Sequence, residues 1–200
     1  MSIIKDIEII KESMSNLRKT SKDNNNKEFL TESKLECCNF DRLTKKYMKK
    51  INSRGKTKNY LPKSVDALLL LDKEGTEEFI FIEFKNLAVE DEIYNVINKA
   101  KDSMMIFADI SELKIDTIRR KSTFILVYRF EKNIEIEKDD YIKSQEKKEP
   151  SKKKIRKKIY KKAGEQIVSF NIKQFLEIYY DNIYTLDENE FSEYIRMYEL

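Results

Sequence analysis

The sequence predicts an α/β protein with a central β-sheet covered by helices. Residues 65–71 and 79–84 are almost unbroken apolar runs, as expected of strands in a sheet that is buried on both faces. Residues 89–108 carry apolar side chains at helical spacing, and a further apolar run follows at residues 123–130. The order of strand, strand, helix and strand, with further helices on either side, is typical of the α/β class.

Composition indicates a folded chain and excludes several kinds of active site. With 200 residues and 40% hydrophobic content, we expect a single domain spanning residues 1–200. The chain has no histidine, which excludes Ser-His-Asp and Cys-His catalysis and histidine-based metal sites. It has only three glycines, too few and too scattered for a Walker loop or a dinucleotide fingerprint. Acid, base or metal chemistry must therefore use carboxylates and lysines.

The N-terminal part of the chain predicts helices and loops. Residues 1–27 read as a helix followed by a polar loop, and residues 28–51 read as a second helix that Asn39 interrupts. No run approaches the roughly 20 apolar residues that span a bilayer, so we expect a cytoplasmic protein without membrane contact. The adjacent Cys37 and Cys38 are expected to be buried, reduced thiols.

The C-terminal part is predicted to complete the domain beyond the core at residues 28–130. Residues 131–165 form a charged and mostly aperiodic loop, and residues 166–200 supply a short strand at 166–170 and two amphipathic helices. These helices open with Asn171 and Gln174 and with Asp187 and Glu190, both pairs at capping-box spacing.

A predicted β-hairpin sets two carboxylates against each other. Taking Glu74-Gly75 as a two-residue turn, Lys73 faces Thr76. Counting outward, the residue numbers of each facing pair add to the same total, and Asp66 falls opposite Glu83. Residues opposed in this way have Cβ atoms about 4.5 to 5.5 Å apart, close enough for their side chains to hold one cation.

These carboxylates predict a site for a divalent metal. Two like charges opposed in an apolar sheet are destabilising unless a cation compensates them. Oxygen ligands suit Mg²⁺ or Mn²⁺ rather than zinc, and a water bound to such an ion is acidified. Lys85 lies two positions beyond Glu83 and projects from the same face, where it can orient or help deprotonate that water.

The segments Ser64-Val65-Asp66 and Ile82-Glu83-Phe84-Lys85 resemble the PD-(D/E)XK nuclease signature, in which an Asp starts one strand and Glu-x-Lys ends the next. Val65 stands where the familiar proline would be. The resemblance implies a restriction-endonuclease-like core, with a mixed central β-sheet flanked by helices and additional C-terminal helices. It implies a metal-dependent nuclease, with Mg²⁺ or Mn²⁺ held by Asp66 and Glu83 and with Lys85 as the catalytic lysine.

The same resemblance implies a further acidic ligand and a nucleic-acid substrate. The superfamily often adds a Glu from the preceding helix, and Glu36 and Glu32, one helical turn apart in the predicted helix, are both candidates. The backbone carbonyl of Phe84 is another candidate ligand. DNA is the favoured substrate, and a role in defence, as a toxin or in a mobile element is expected by analogy alone.

Each of these residues also has an interpretation without catalysis. Glu83 and Lys85 can be the solvated end of a strand, and Asp66 and Lys85 can form an internal salt bridge in a non-catalytic relative of the nucleases. Residues 99, 101 and 102, two lysines and an aspartate, follow on the next helix, where the superfamily can place side chains that contact substrate; an exposed face is the favoured interpretation.

A basic run predicts nucleic-acid contact. Residues 147–162 contain ten Lys or Arg and one Glu, a net charge of +9 in a chain of +4, so the remainder carries −5. Such a run favours sequence-independent phosphate binding, although the whole chain is rich in lysine. The expected nucleic-acid contacts are Lys152, Lys153, Lys154, Arg156, Lys157, Lys158 and Lys101.

Two other functions fit the sequence. The chain could be a catalytically inactive nuclease-fold module that binds nucleic acid or a protein. It could also be an interaction protein that forms a homodimer through its C-terminal tyrosines, although core packing is the favoured use of these side chains. The tyrosines concerned are Tyr179, Tyr180, Tyr184, Tyr194 and Tyr198.

Overall fold

Six strands form one mixed β-sheet in the computed structural model, which describes residues 4, 7–23, 27–52, 61–73, 75–86, 88–89, 92–133, 168 and 170–199. The strands lie in chain order, β1 to β4 are antiparallel to their neighbours, and β4, β5 and β6 are parallel. The strands are β1 Met14–Asn16, β2 Glu36–Asn39, β3 Ala67–Lys73, β4 Thr76–Lys85, β5 Ser122–Tyr128 and β6 Asn182–Asp187. The predicted α/β class is confirmed.

Helices cover both faces of this sheet. They are α1 Glu8–Lys11, α2 Leu17–Thr20, α3 Phe40–Asn52, α4 Ile93–Ser111, α5 Ile115–Arg119, α6 Lys173–Leu176 and α7 Glu188–Ile195, with 3₁₀ turns at Phe130–Lys132 and Arg196–Tyr198. One face, here called the α4 face, packs against buried side chains of α1, α3, α4, α5 and α6, and the opposite face packs against α2 and α7. Burial on both sides explains why the central strands are apolar throughout.

The predicted hairpin register is confirmed. Lys73 pairs with Thr76, and the ladder runs without a slip to the pair Ala67 and Ile82. Gly75 adopts a φ of +82°, in the left-handed region that favours glycine, and its N–H donates to Asp72 Oδ1 at 3.0 Å. Because side chains alternate along a strand, this register puts residues 66, 83 and 85 on the α4 face.

Two predicted helices of the N-terminal part are partly wrong. Residues 36–39 form β2 instead of the helix predicted over 28–51, and the chain turns helical only at Phe40. Cys37 and Cys38 are buried on opposite faces of the sheet, as expected because successive side chains of a strand point to opposite faces. The first predicted helix is likewise divided, because β1 separates α1 from α2. Both changes arise because β1 and β2 gain backbone hydrogen bonds from each other and from β3, which local spacing does not reveal.

The later elements agree better with the sequence. The predicted helix over 89–108 is α4, and its apolar stripe is buried. Asp187 caps α7 in a capping box with Glu190, as predicted. The helix expected from Asn171 is only the short α6, and β6 replaces its continuation with alternating burial. The strand predicted at 166–170 falls mostly outside the described residues, as does nearly all of the charged loop at 131–165.

Smaller expectations from composition have mixed outcomes. Cys37 and Cys38 are both buried and free, as predicted. Tyr180 is a core residue, as expected for the C-terminal tyrosines, and its hydroxyl donates to Ala100 O at 2.6 Å. Within the described part of the chain, no helix combines the length and the apolar character needed to cross a membrane.

Candidate active site

The edge of the β3–β4 hairpin brings together the three residues of the predicted motif. The backbone pairing of β3 with β4 ends at Ala67, the residue after Asp66. The Asp66 side chain continues the contact between the two segments, because its Oδ2 accepts a hydrogen bond from the Phe84 N–H at 2.7 Å. Glu83 has no exposed side-chain surface, whereas Lys85 keeps 14% and Asp66 keeps 20%. The carboxylates are therefore set into the protein, with their open side toward α4.

Lys99 joins both carboxylates. Its Nζ lies 2.8 and 3.1 Å from the two carboxylate oxygens of Glu83 and 3.8 Å from Asp66 Oδ1. The interpretation of Lys99 as part of an exposed face is therefore wrong. It lies three residues after the buried Val96 and four before the buried Ser103, so it falls within the stripe that α4 turns toward the sheet. That spacing is the signal in the sequence that could have identified it.

Lys85 forms a second set of ion pairs beside this one. Its Nζ lies 3.4 Å from Glu83 Oε1 and 3.1 Å from Glu92 Oε2. Glu92 also accepts a hydrogen bond from Asn95 Nδ2 at 2.6 Å. The alternative of an Asp66–Lys85 salt bridge does not match these contacts, because the lysine that pairs with Asp66 is Lys99. Two lysines and three carboxylates thus form one connected cluster.

Burial and mutual repulsion perturb the ionisation of this cluster. Burial, with the neighbouring charge of Asp66, raises the pKa of Glu83 to about 8, although Lys99 and Lys85 oppose the rise. Burial also raises the pKa of Asp66 to about 6, against the effects of Lys99 and of the Phe84 N–H. Burial alone would lower the pKa of Lys99, but the charges of Glu83 and Asp66 outweigh it and raise that pKa. Hydrogen bonds from Asn95 and Lys85 lower the pKa of Glu92.

Two side chains of α4 hold the segment that leads into Asp66. The backbone N–H of Lys63 donates to Asp102 Oδ2 at 3.0 Å, and that of Val65 donates to Ser103 Oγ at 2.9 Å. Asp102 therefore has a structural contact that the expected exposed face did not include, because its carboxylate holds the backbone of Lys63. These bonds tie the position of Asp66 to the helix that carries Lys99.

The helix that precedes β3 contributes an acid that was not predicted. Asp41, in the first turn of α3, accepts a hydrogen bond from Ser64 Oγ at 2.5 Å, and its charge raises the pKa of Asp66. The predicted helix ligands lie elsewhere. Glu36 is exposed on β2 opposite Asn16, and Glu32 is exposed in an ion pair with Arg18 Nε at 2.6 Å. The structure brings neither glutamate to the cluster.

The predicted nucleic-acid contacts are mostly not described. Lys101 lies on α4 with its Nζ 5.5 Å from the centre of the Tyr179 ring, a cation–π contact. The six basic residues of the predicted contact set in the 147–162 run lie outside the described residues.

The donor set fits a hard divalent cation in its chemistry. Asp66 and Glu83 both lie within 4 Å of the Lys99 ammonium, and carboxylate oxygens are the ligands that Mg²⁺ and Mn²⁺ prefer. Among the described residues, no group of three or more Asp, Glu or Cys side chains is arranged to hold a metal. The residues that would hold such a cation are therefore Asp66 and Glu83.

The ionisation of Glu83 predicts how stability depends on pH. Between its ordinary pKa of 4.5 and about 8, the folded protein keeps a proton on Glu83 that the unfolded chain has released. The metal-free protein should therefore lose stability as the pH rises from about 5 to 8, by about 2 kcal/mol or more. The stability of Glu83→Gln should depend much less on pH. Thermal unfolding in EDTA across this pH range measures the difference.

The matched control for this experiment is Glu32→Gln, which removes an exposed carboxylate far from the cluster. It should reproduce the wild-type profile. If Glu83→Gln also keeps the wild-type slope, Glu83 does not carry the proton.

Comparison of the chain with protein-family models, with curated proteins and with solved structures finds no match.

Proposed function

We propose that this chain is a metal-dependent nuclease of the PD-(D/E)XK type, with a restriction-endonuclease-like core, that hydrolyses phosphodiester bonds of nucleic acid, with DNA as the favoured substrate. One observation carries the proposal. Asp66 and Glu83, which approach from neighbouring strands, share the Lys99 ammonium between their carboxylates, and Lys85 lies 3.4 Å from the same Glu83.

The energetics of the cluster support a functional interpretation. A buried carboxylate pair costs stability unless it is compensated, and a hydrophobic pair at these positions would pack in the same sheet at no such cost. Perturbed carboxylates and lysines gathered beside a cleft are typical of functional sites. The order of elements, with α3 before β3, β4 after it and α4 leading to the parallel β5, also agrees with the core that the motif implies.

Each residue has a distinct proposed role. Asp66 and Glu83 would hold Mg²⁺ or Mn²⁺, which when bound supplies an acidified water and neutralises phosphate charge. Lys85 would orient the attacking water through its Nζ and stabilise the charge that develops on the phosphate. Glu92 and Asn95 position the Lys85 ammonium, because Glu92 Oε2 accepts hydrogen bonds from Lys85 Nζ and from Asn95 Nδ2. Lys99, displaced from the carboxylates, would remain available for the anionic substrate.

The proposal is tested by cleavage of a supercoiled plasmid, a linear duplex, a single-stranded DNA and an RNA, each with Mg²⁺, with Mn²⁺ and with EDTA. The wild type should cut at least one DNA substrate only when metal is present. Asp66→Asn, which keeps the size of the side chain but removes its charge, should lower the rate by about 10³-fold, the scale of losing metal-assisted charge stabilisation.

A matched control is Asp116→Asn, which removes a carboxylate from an exposed helical ion pair with Arg120. This variant should cut like the wild type. If the wild type cuts none of these substrates with either metal, or if Asp66→Asn cuts at the wild-type rate, the proposed function is wrong.

A second candidate function follows from Lys99. Its ammonium lies 2.8 Å from Glu83 and 3.8 Å from Asp66, and Lys85 lies 3.4 Å from Glu83, so two lysines already oppose the two carboxylate charges without a metal. That favours, as the alternative, a catalytically inactive module of the same fold that binds nucleic acid or a protein. Salt-dependent binding of DNA that persists in Asp66→Asn, without cleavage by the wild type, would support this alternative.

A further inference from the structure

A cavity of about 350 Å³ opens beside the carboxylate cluster. Its walls come from α3, from the segment at residues 61–64 and from α4, and Lys99 lies on the border between the cavity and the carboxylates. The volume is in the range of small-ligand sites in proteins. The cavity is therefore placed to receive the part of a substrate that lies next to a bond held at Asp66 and Glu83.

The charge of this cavity favours an anion. Lys45, Lys63 and Lys99 line it together with one carboxylate, that of Asp41. The charge of Lys99 is already opposed by Glu83 and Asp66, so Lys45 and Lys63 are the lysines left for a ligand. Asp41 already accepts a hydrogen bond from the hydroxyl of Ser64. Lys63 Nζ donates to the neutral Asn95 amide, and the carboxylate nearest in effect is Glu92, which already pairs with Lys85. In the described part of the chain, Lys45 forms no ion pair.

A buried hydroxyl at the same cavity lacks a partner. Thr44 lines the cavity, is only 1% exposed, and its Oγ1 has no hydrogen-bond partner within the described structure. A buried hydroxyl without a partner costs about 1 to 3 kcal/mol, and most such groups in native proteins are satisfied. An acceptor atom brought by a ligand would satisfy it. Thr44 is thus a second and independent indication that the cavity binds something polar.

The cavity also has an apolar part. Leu61, 56% exposed, and Pro62 supply this apolar part, which suits the sugar or base of one nucleotide. A terminal phosphomonoester carries up to two negative charges, whereas a phosphodiester within a strand carries one, so the pair of lysines at positions 45 and 63 favours the monoester.

We propose that this cavity binds the terminal phosphomonoester of a nucleic-acid strand, next to the bond presented to Asp66 and Glu83. The proposal rests on the proposed nuclease function for its placement, and it makes the chain an enzyme that recognises phosphorylated strand ends. Lys45 and Lys63 would contact the phosphate oxygens, and the Thr44 hydroxyl would donate to one of them.

The test measures binding without cleavage. Three single-stranded DNA oligonucleotides of the same sequence, with a 5′-phosphate, with a 3′-phosphate or with hydroxyls at both ends, are titrated in EDTA and followed by fluorescence anisotropy. One phosphorylated end should bind on the order of tenfold more tightly than the hydroxyl control, as expected for charge-assisted hydrogen bonds. Which end is preferred identifies the source of the phosphomonoester.

Variants assign this preference to the cavity. Lys63→Met and Thr44→Val should each remove most of the preference for the phosphorylated end, and Thr44→Val should do so without loss of thermal stability, because it keeps the side-chain shape. Lys46→Met, at the next position of α3 but outside the cavity lining, is the control and should keep the preference. Equal binding of all three oligonucleotides, or a preference that survives both cavity variants, would overturn the proposal.

The outcomes also separate this proposal from the nuclease function. Metal-dependent cleavage with no preference for phosphorylated ends leaves the nuclease proposal standing and overturns the cavity proposal. A preference that depends on Lys63 and Thr44, in a protein that cuts no nucleic acid with either metal, supports the cavity as a binding site and overturns the nuclease proposal.

Discussion

Lys85→Met is expected to lower the rate of metal-dependent cleavage by about 10³-fold while leaving the fold intact. Lys85 Nζ is held between Glu83 and Glu92 at 3.4 and 3.1 Å, which leaves it beside the carboxylates without occupying the position between them. Removing it takes away the group proposed to orient water and to stabilise developing charge. Single-turnover cleavage rates with Mg²⁺ measure the effect separately from product release.

Binding and stability distinguish this effect from a damaged site. Lys85→Met should bind substrate nearly as well as the wild type in Ca²⁺ or EDTA. Its metal affinity should change little, because both proposed metal ligands, Asp66 and Glu83, remain. Lys121→Met is the matched control, since it removes a lysine whose ion pair in the described structure is with Glu77, outside the cluster. A Lys85→Met variant that cuts within tenfold of the wild-type rate would exclude Lys85 as the catalytic lysine.

Lys99→Met is expected to destabilise the metal-free protein at pH 8 by about 3 to 5 kcal/mol, the usual cost of leaving buried charges without their partner. Glu83 is fully buried and Lys99 keeps only 21% of its side-chain surface, so solvent does little to replace the lost ammonium. In a chain of this length the loss corresponds to a fall in the melting temperature of about 10 °C. Thermal unfolding in EDTA measures it.

The same variant reports on the proposed metal site without using activity. Because Lys99 and a divalent cation would compete for the space between Asp66 and Glu83, adding Mn²⁺ should stabilise Lys99→Met much more than it stabilises the wild type. At pH 5, where the raised pKa values leave both carboxylates largely protonated, the destabilisation should shrink.

The control for Lys99→Met is Lys46→Met, which breaks an exposed ion pair with Glu12 and should cost about 1 kcal/mol or less. If Lys99→Met is as stable as the wild type at pH 8, the carboxylates do not depend on the ammonium. If it is destabilised but gains nothing from Mn²⁺, the metal role of Asp66 and Glu83 is wrong, while the structural ion pair remains.

Much of the sheet and part of the site could be predicted from local pattern. The Gly75 turn and the two-residue alternation of strands determined the β3–β4 register, and this register put Asp66 beside Glu83 with Lys85 on the same face. The apolar stripe of α4 and the capping box at Asp187 were equally local signals, and both were correct. In each case the residues that interact are close in the chain or obey a short period.

What local pattern could not decide depends on partners distant in sequence. Residues 36–39 become β2, and the segment before Asp187 becomes β6, because neighbouring strands supply their hydrogen bonds. Lys99 enters the site because the rotation of α4 on the sheet turns it toward Glu83. Asp41 comes near Asp66 because α3 starts beside the beginning of β3. The period of a helix tells which residues share a face. Only the packing of the helix on the sheet determines where that face points. The tertiary structure therefore determined which lysine lies between the two carboxylates.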